Sequence, residues 1–150
     1  ALVNEQQRGR MVEKITKTVG ELKGKTFAML GLSFKPNTND LRDAPALAIA
    51  QELIKQGATL RVYDPAALEE ACQTVSGLVP CKDAYEAAEG ADALILMTEW
   101  NQFRTLDFER LKTALRQPIF FDLRNVYEPD RVAAFGLRHI SVGRPSKAPS

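Results

Sequence analysis

The sequence is poor in the residues that most often carry covalent or metal chemistry. It holds one histidine, His139, and two cysteines, Cys72 and Cys81. The cysteines lack C-x-x-C spacing and have no neighbouring histidine, so neither a zinc site nor a disulfide framework is indicated. Two reduced thiols in a cytoplasmic protein is the plain reading. No serine or cysteine stands with a paired base, and His139 is given no role, so no catalytic residue is assigned. An excess of one charge is also lacking. Lysine and arginine number 20 and acids 19, a formal net charge of +1, which gives no global field for nucleic acid. No apolar run approaches the roughly 20 residues of a membrane span. The opening ALVNEQQRGRMVEK is polar and has no signal-peptide core. Both glycine-rich phosphate motifs, G-x-G-x-x-G and G-x-x-x-x-G-K-[ST], are missing.

What is present is an alternation of short apolar runs and helical patterns within 150 residues, 45% hydrophobic and 26% charged. That composition suits one globular domain with a real core. Strands are expected over 26–30 (TFAML), 59–63 (TLRVY), 93–97 (ALILM), 118–122 (PIFFD) and 139–142, with 77–81 a loop or a very short strand. Helices are expected over 4–22, 45–56, 66–72, 83–89, 108–115 and 129–135. Asp83 and Asp107 serve as N-caps, and Gly57 sits just past the second helix. This order predicts an α/β fold: a three-layer αβα, Rossmann-like domain with a mainly parallel sheet. The helix over 4–22 is amphipathic, with Met11, Val12, Ile15, Val19 and Leu22 at spacings of three and four. It reads either as the domain's own first helix or as the end of a connecting helix over 1–22, ahead of a domain over 24–143, with 144–150 a frayed tail.

In a parallel sheet the carboxyl ends of the strands share one edge, where ligands bind. Three loops open there. Residues 31–45 (GLSFKPNTNDLRDAP) carry Lys35 and Arg42 among Asn37, Thr38, Asn39, Asp40 and Asp43. Thr98-Glu99-Trp100 follows the apolar 93–97 run, and Leu123-Arg124-Asn125 follows PIFFD. Lysine offers a point charge and arginine a planar fork for phosphate oxygens. The start of the helix at Pro45 adds N–H groups and a positive dipole end. Together these fit a pyrophosphate. Each residue also has a plainer reading: a solvated Lys35, Arg42 paired with Asp40 or Asp43, and Arg124 paired with Asp122. Phe34 packs or lies against a ligand ring, and Trp100 fits a rim or core position better than a stacking platform. Glu99 is a base or, more simply, a hydrogen-bond partner for a helix start. Asp64 ends the second strand, where a dinucleotide fold places a ribose-binding acid. The missing glycine fingerprint favours a cap for the helix that follows. On residues alone this is a binding domain, not a complete active site.

GLSFKPNTNDLRDAPAL, VYDP, MTEW and FFDLRN, in that order along about the whole chain, resemble the C-terminal domain of the UDP-glucose/GDP-mannose dehydrogenase family. The resemblance implies an enzyme that oxidises the C6 alcohol of a UDP-sugar to a carboxylate in two NAD-dependent steps. Its N-terminal Rossmann domain binds NAD. A long helix leads to a C-terminal domain that helps bind the UDP-sugar and completes a homodimer, and VNEQQR resembles the end of that helix. The resemblance implies that Phe34 and Lys35 contact the UDP-sugar, that Arg42 reaches the NAD side, and that Arg124 meets the sugar nucleotide. The family's thiol nucleophile and glycine-rich NAD loop lie upstream of this chain, and Cys72 and Cys81 do not match that cysteine. Leu123 stands where the family often has glycine, and Asn39 where an acid is frequent. T-E-W followed by phenylalanine favours UDP-glucose over GDP-mannose or UDP-N-acetylmannosamine. Two functions stay open: the nucleotide-sugar half of an oxidoreductase, inactive alone, or a free-standing binding or dimerisation module.

Overall fold

A computed structural model describes residues 5–33, 41 and 44–141. Six short strands form one sheet: β1 (Thr26–Leu30), β2 (Thr59–Tyr63), β3 (Leu78–Pro80), β4 (Ala93–Leu96), β5 (Ile119–Asp122) and β6 (Arg138–Ser141). Their order is β3-β2-β1-β4-β5-β6 and every pairing is parallel. This is the doubly wound order, with its switch point between β1 and β4. The helices are α1 (Glu5–Val19), α2 (Pro45–Lys55), α3 (Leu68–Thr74), α4 (Ala84–Ala88), α5 (Phe108–Ala114) and α6 (Pro129–Ala134), with a 3₁₀ turn at Asn101–Thr105. No helix among the described residues is long and apolar enough to cross a membrane.

The central strands are continuous apolar runs because both faces are covered. Phe27, Met29, Ile95 and Phe121 point into one core with Ile49 and Leu53 of α2, Ala71 of α3 and the fully buried Ile15 of α1. Ala28, Leu30, Leu94, Leu96 and Phe120 point into the other, with Ala87 of α4, Leu111 of α5 and Val132 of α6. The edge strand β3 ends in Pro80, which has no N–H to give a neighbour.

Most boundaries differ from the sequence pattern by a residue or two, and two of the larger differences have a local reason. The first helix stops at Val19 because Gly20 takes φ +83° and returns its N–H to the Thr16 carbonyl at 2.8 Å. The third begins at Leu68 instead of residue 66, because Asp64 Oδ1 accepts the N–H groups of Ala66 and Ala67, both at 2.8 Å, in a turn before the helix.

Strand register sets the ligand edge. Leu30 is level with Tyr63 and Leu96, Leu96 with Asp122, and Asp122 with Ser141. The residues that follow, Gly31, Asp64, Met97 and Leu123, therefore leave the sheet side by side.

Candidate functional site

Three loops root at this rim, and the first is pinned from both sides. Gly31 has φ +89° and gives its N–H to the Tyr63 carbonyl at 2.9 Å. A Cβ there would lie 2.5 Å from Thr98 Cβ and 2.7 Å from the Thr98 nitrogen, so only glycine lets the exit of β1 pass the exit of β4. Thr98 Oγ1 then donates to the Ser33 carbonyl at 2.7 Å, and the Leu32 N–H donates to Asp64 Oδ2 at 2.7 Å. Residues 34–40, 42 and 43, including Phe34, Lys35 and Arg42, lie outside the described residues, as does the tail over 144–150. The chain re-enters at Ala44, and α2 starts at Pro45 with no side-chain cap and no acid in its first turn. Its positive end is thus uncompensated by side chains among the described residues.

The second loop carries Glu99. Its Oε2 lies 3.0 Å from Arg104 Nη2 and its Oε1 lies 3.6 Å from Arg124 Nη2. Arg124 is therefore brought against Glu99, across the rim from β4, and not against Asp122. Trp100 packs partly buried against the second core, which fits a packing role. Its indole N–H is buried with no partner among the described residues.

The third loop is shaped by Asp122, whose carboxylate is fully buried. Oδ1 accepts the Val126 N–H at 3.0 Å, and Oδ2 accepts the Tyr127 N–H at 2.8 Å and faces His139 Nε2 at 3.1 Å. Burial pushes this carboxyl up, but the hydrogen bonds from His139, Tyr127 and Val126 outweigh it and hold it below the usual carboxylate range. Arg124 and Asn125 form the tip, with Asn125 at φ +55°. Sequence reasoning missed His139. Its signal was weak, because the register that sets β6 beside β5 is not written in either strand.

Cys72 and Cys81 are both free, and burial pushes both thiols up, away from the thiolate form a nucleophile needs. Among the described residues no group of His, Cys, Asp or Glu is placed to hold a metal ion. For a dinucleotide, the acid at the end of the second strand must be open to a ribose. Asp64 occupies that place at 2% exposure, with Oδ2 taken by Leu32 and Oδ1 by Ala66 and Ala67. Asp64 thus binds the backbone of the turn ahead of α3 and does not cap the helix itself, whose N-cap is Ala67 with no side-chain cap, and the described residues do not fit NAD at the position where a Rossmann domain binds it.

Comparison with known proteins narrows what the edge serves. Residues 28–129 match the UDP-glucose/GDP-mannose dehydrogenase family, UDP binding domain. The chain is 47% identical over 144 residues to the UDP-glucose 6-dehydrogenase of Rhizobium meliloti, covering 95% of this chain and 33% of that protein. It is similar in structure to a UDP-glucose dehydrogenase from Pyrobaculum islandicum (TM-score 0.66, 31% identity, 70% of this chain and 24% of that one). It is also similar to the UDP-D-ManNAc dehydrogenase of Pyrococcus horikoshii (TM-score 0.73, 25% identity, 94% of this chain and 32% of that one). The chain spans about a third of the length of the curated relatives it matches. A wholly parallel sheet in doubly wound order, a carboxyl rim that turns its ribose acid inward, and a match across both cores together place this chain in the UDP-glucose/GDP-mannose dehydrogenase family, as its UDP-binding domain.

Proposed function

We propose that the chain is the nucleotide-sugar-binding domain of an NAD-dependent, cytoplasmic UDP-glucose 6-dehydrogenase that supplies UDP-glucuronate for polysaccharide biosynthesis. Alone it binds the UDP-sugar weakly and has no activity. The observation that carries the reading is the rim itself. Gly31 and Thr98 fix where the chain leaves β1, next to the β4 loop whose Glu99 meets Arg124, and this supports a reading in which Phe34, Lys35 and Arg124 share one anionic ligand. Phe34 and Lys35 contact the UDP-sugar, Arg124 grips its diphosphate, and Arg42 faces NAD. NAD supplies hydride acceptance when bound, and its main site and the thiol nucleophile belong to sequence outside this chain. The raised thiols and the inward-turned Asp64 support that division. A homodimer fits the domain's place in the family. Glucose is favoured because identity is 47% to a UDP-glucose 6-dehydrogenase and 25% to a UDP-D-ManNAc dehydrogenase.

Calorimetry with UDP and UDP-glucose tests this on the wild-type chain, Lys35→Ala and Arg124→Ala. Each substitution should weaken binding by about tenfold or more, the loss of one charge-assisted phosphate contact. No NADH should form from NAD and UDP-glucose. Equal affinity in all three proteins removes these residues from the site, and turnover by the chain alone refutes the division of labour.

A further inference from the structure

The chain's one imidazole is fully buried on β6, yet it reaches toward the ligand rim through Asp122. We propose that His139 is a positioning residue for Arg124: by donating from Nε2 to the Asp122 carboxylate, it holds the loop that presents the guanidinium. This rests on the role given to Arg124 above.

The loop between Asp122 and Tyr127 is fixed at both ends. At its start, the Leu123 N–H donates to the Leu96 carbonyl at 3.1 Å and the Leu123 side chain is buried. At its end, the Tyr127 hydroxyl accepts the Leu106 N–H at 3.1 Å and donates to the Phe103 carbonyl. The Tyr127 ring meets Phe108 and Phe120 edge-on, with centroids 4.9 and 5.9 Å away. Between these anchors, the Asp122 carboxylate closes the turn by accepting two backbone N–H groups. A carboxylate with no access to water needs its hydrogen bonds to stay charged and in place. His139 is its side-chain donor.

Two further atoms argue that the imidazole is there for this contact rather than to fill space. His139 Nδ1 and Ser141 Oγ, two positions apart on one face of β6, are buried with no partner among the described residues. A leucine in this slot, against the edge of Phe120, would leave no orphaned ring nitrogen. Among the described residues, the hydrogen bond an imidazole adds here is the one to Asp122. The guanidinium is held separately, by Glu99 from the β4 loop at 3.6 Å. Loss of His139 should therefore loosen the loop backbone beneath Arg124 while leaving the Glu99 contact available.

The test is nitrogen-15 NMR and UDP titration on the chain with His139→Leu and His139→Gln. Glutamine keeps a donor near the place of Nε2. In His139→Leu, the Val126 and Tyr127 amides should exchange about tenfold faster, the size expected for one charge-assisted hydrogen bond. The amides of β1 and β4 should be unchanged. The Arg124 Nε–H signal should shift toward its random-coil position, and UDP affinity should fall by about tenfold. His139→Gln should restore all three readouts to within about threefold of wild type. Wild-type protection of Val126 and Tyr127 in His139→Leu, or an Arg124 signal that does not move, overturns the proposal. If His139→Leu does not fold, His139→Gln against His139→Asn makes the same comparison, since the shorter amide falls short of Asp122. A wild-type chain that fails to bind UDP counts against the role of Arg124, and amide exchange still decides the role of His139.

Discussion

Replacing Gly31 with alanine adds one methyl group at the most crowded point of the rim. At φ +89°, an L side chain costs about 1–2 kcal/mol in backbone strain. The new Cβ would also lie 2.5 Å from Thr98 Cβ, 2.6 Å from Thr98 Oγ1 and 2.7 Å from the Thr98 nitrogen. Ordinary carbon contacts lie at about 3.5–4.0 Å. Thr98 has little room to yield, because it is fully buried and its hydroxyl is bound to the Ser33 carbonyl. Overpacking of this kind costs about 1–3 kcal/mol, for a total of about 3 kcal/mol. In a chain of this length that is a fall in Tm of about 10 °C. Urea and thermal unfolding, followed by circular dichroism, give both numbers. Thr98→Gly in the Gly31→Ala background removes two of the three clashes but keeps the backbone nitrogen and the strained φ. It should therefore restore about 1 kcal/mol relative to the sum of the single variants. A Gly31→Ala protein within 1 kcal/mol of wild type, or a double variant with no coupling, would refute the close approach of the two strand exits.

Three other outcomes follow from the same rim. Asp64→Asn should cost about 2–3 kcal/mol in urea unfolding, because one amide oxygen cannot serve the N–H groups of Leu32, Ala66 and Ala67 together. A cost under about 1 kcal/mol would mean that water or another acceptor takes over. Asp122 has its folded pKa held below the ordinary 3.8, so its contribution is full above the unfolded pKa and is lost as pH falls through the folded one. The stability gap between wild type and Asp122→Asn should be widest above about pH 5, begin to narrow below about pH 4 and close only after pH has fallen through the folded value, and a gap that does not change with pH would contradict the sign. Finally, Ser33→Gly with Pro36→Gly writes G-x-G-x-x-G over positions 31, 33 and 36. Calorimetry should still find no NAD binding by the chain, because Asp64 remains bound to backbone N–H groups; micromolar binding would refute that account.

The strands were the most legible elements. TFAML is a strand to the residue, with four of its five residues buried, and TLRVY is one by alternation, with Leu60 and Val62 buried while Thr59 is exposed and Arg61 and Tyr63 are partly so. The caps Asp83 and Asp107 were readable because they act locally: Asp83 accepts the Glu86 N–H, and Asp107 accepts those of Glu109 and Arg110. Helix ends were less legible, since Gly20 and Gly24 both take positive φ and either could have stopped the first helix. Arg124 could be singled out from its place after an apolar strand, but its partner could not. Glu99 and Arg124 are 25 positions apart, and their meeting depends on β4 lying beside β5 in one register. The same non-local fact hid His139, which reads as an ordinary strand residue until β6 is set against Asp122.

The rim explains how one strand order serves two purposes. In a dinucleotide domain, the turn after the first strand exposes backbone N–H groups to phosphate, and the acid after the second strand is turned out to a ribose. Here those same groups satisfy each other: the Leu32 N–H meets Asp64, and the Ser33 carbonyl meets Thr98. Asp122 is likewise turned inward, with its oxygens on Val126, Tyr127 and His139. Backbone and carboxylates are thereby committed to fixing where the loops leave the sheet. Under the proposed function, recognition of an anion falls to long side chains at the loop tips, of which Arg124 is the described example. Such side chains take up charge without requiring the ligand to approach the backbone closely, and glycine is needed only where two strand exits touch. That is why a single Gly31 suffices where a dinucleotide fingerprint needs three.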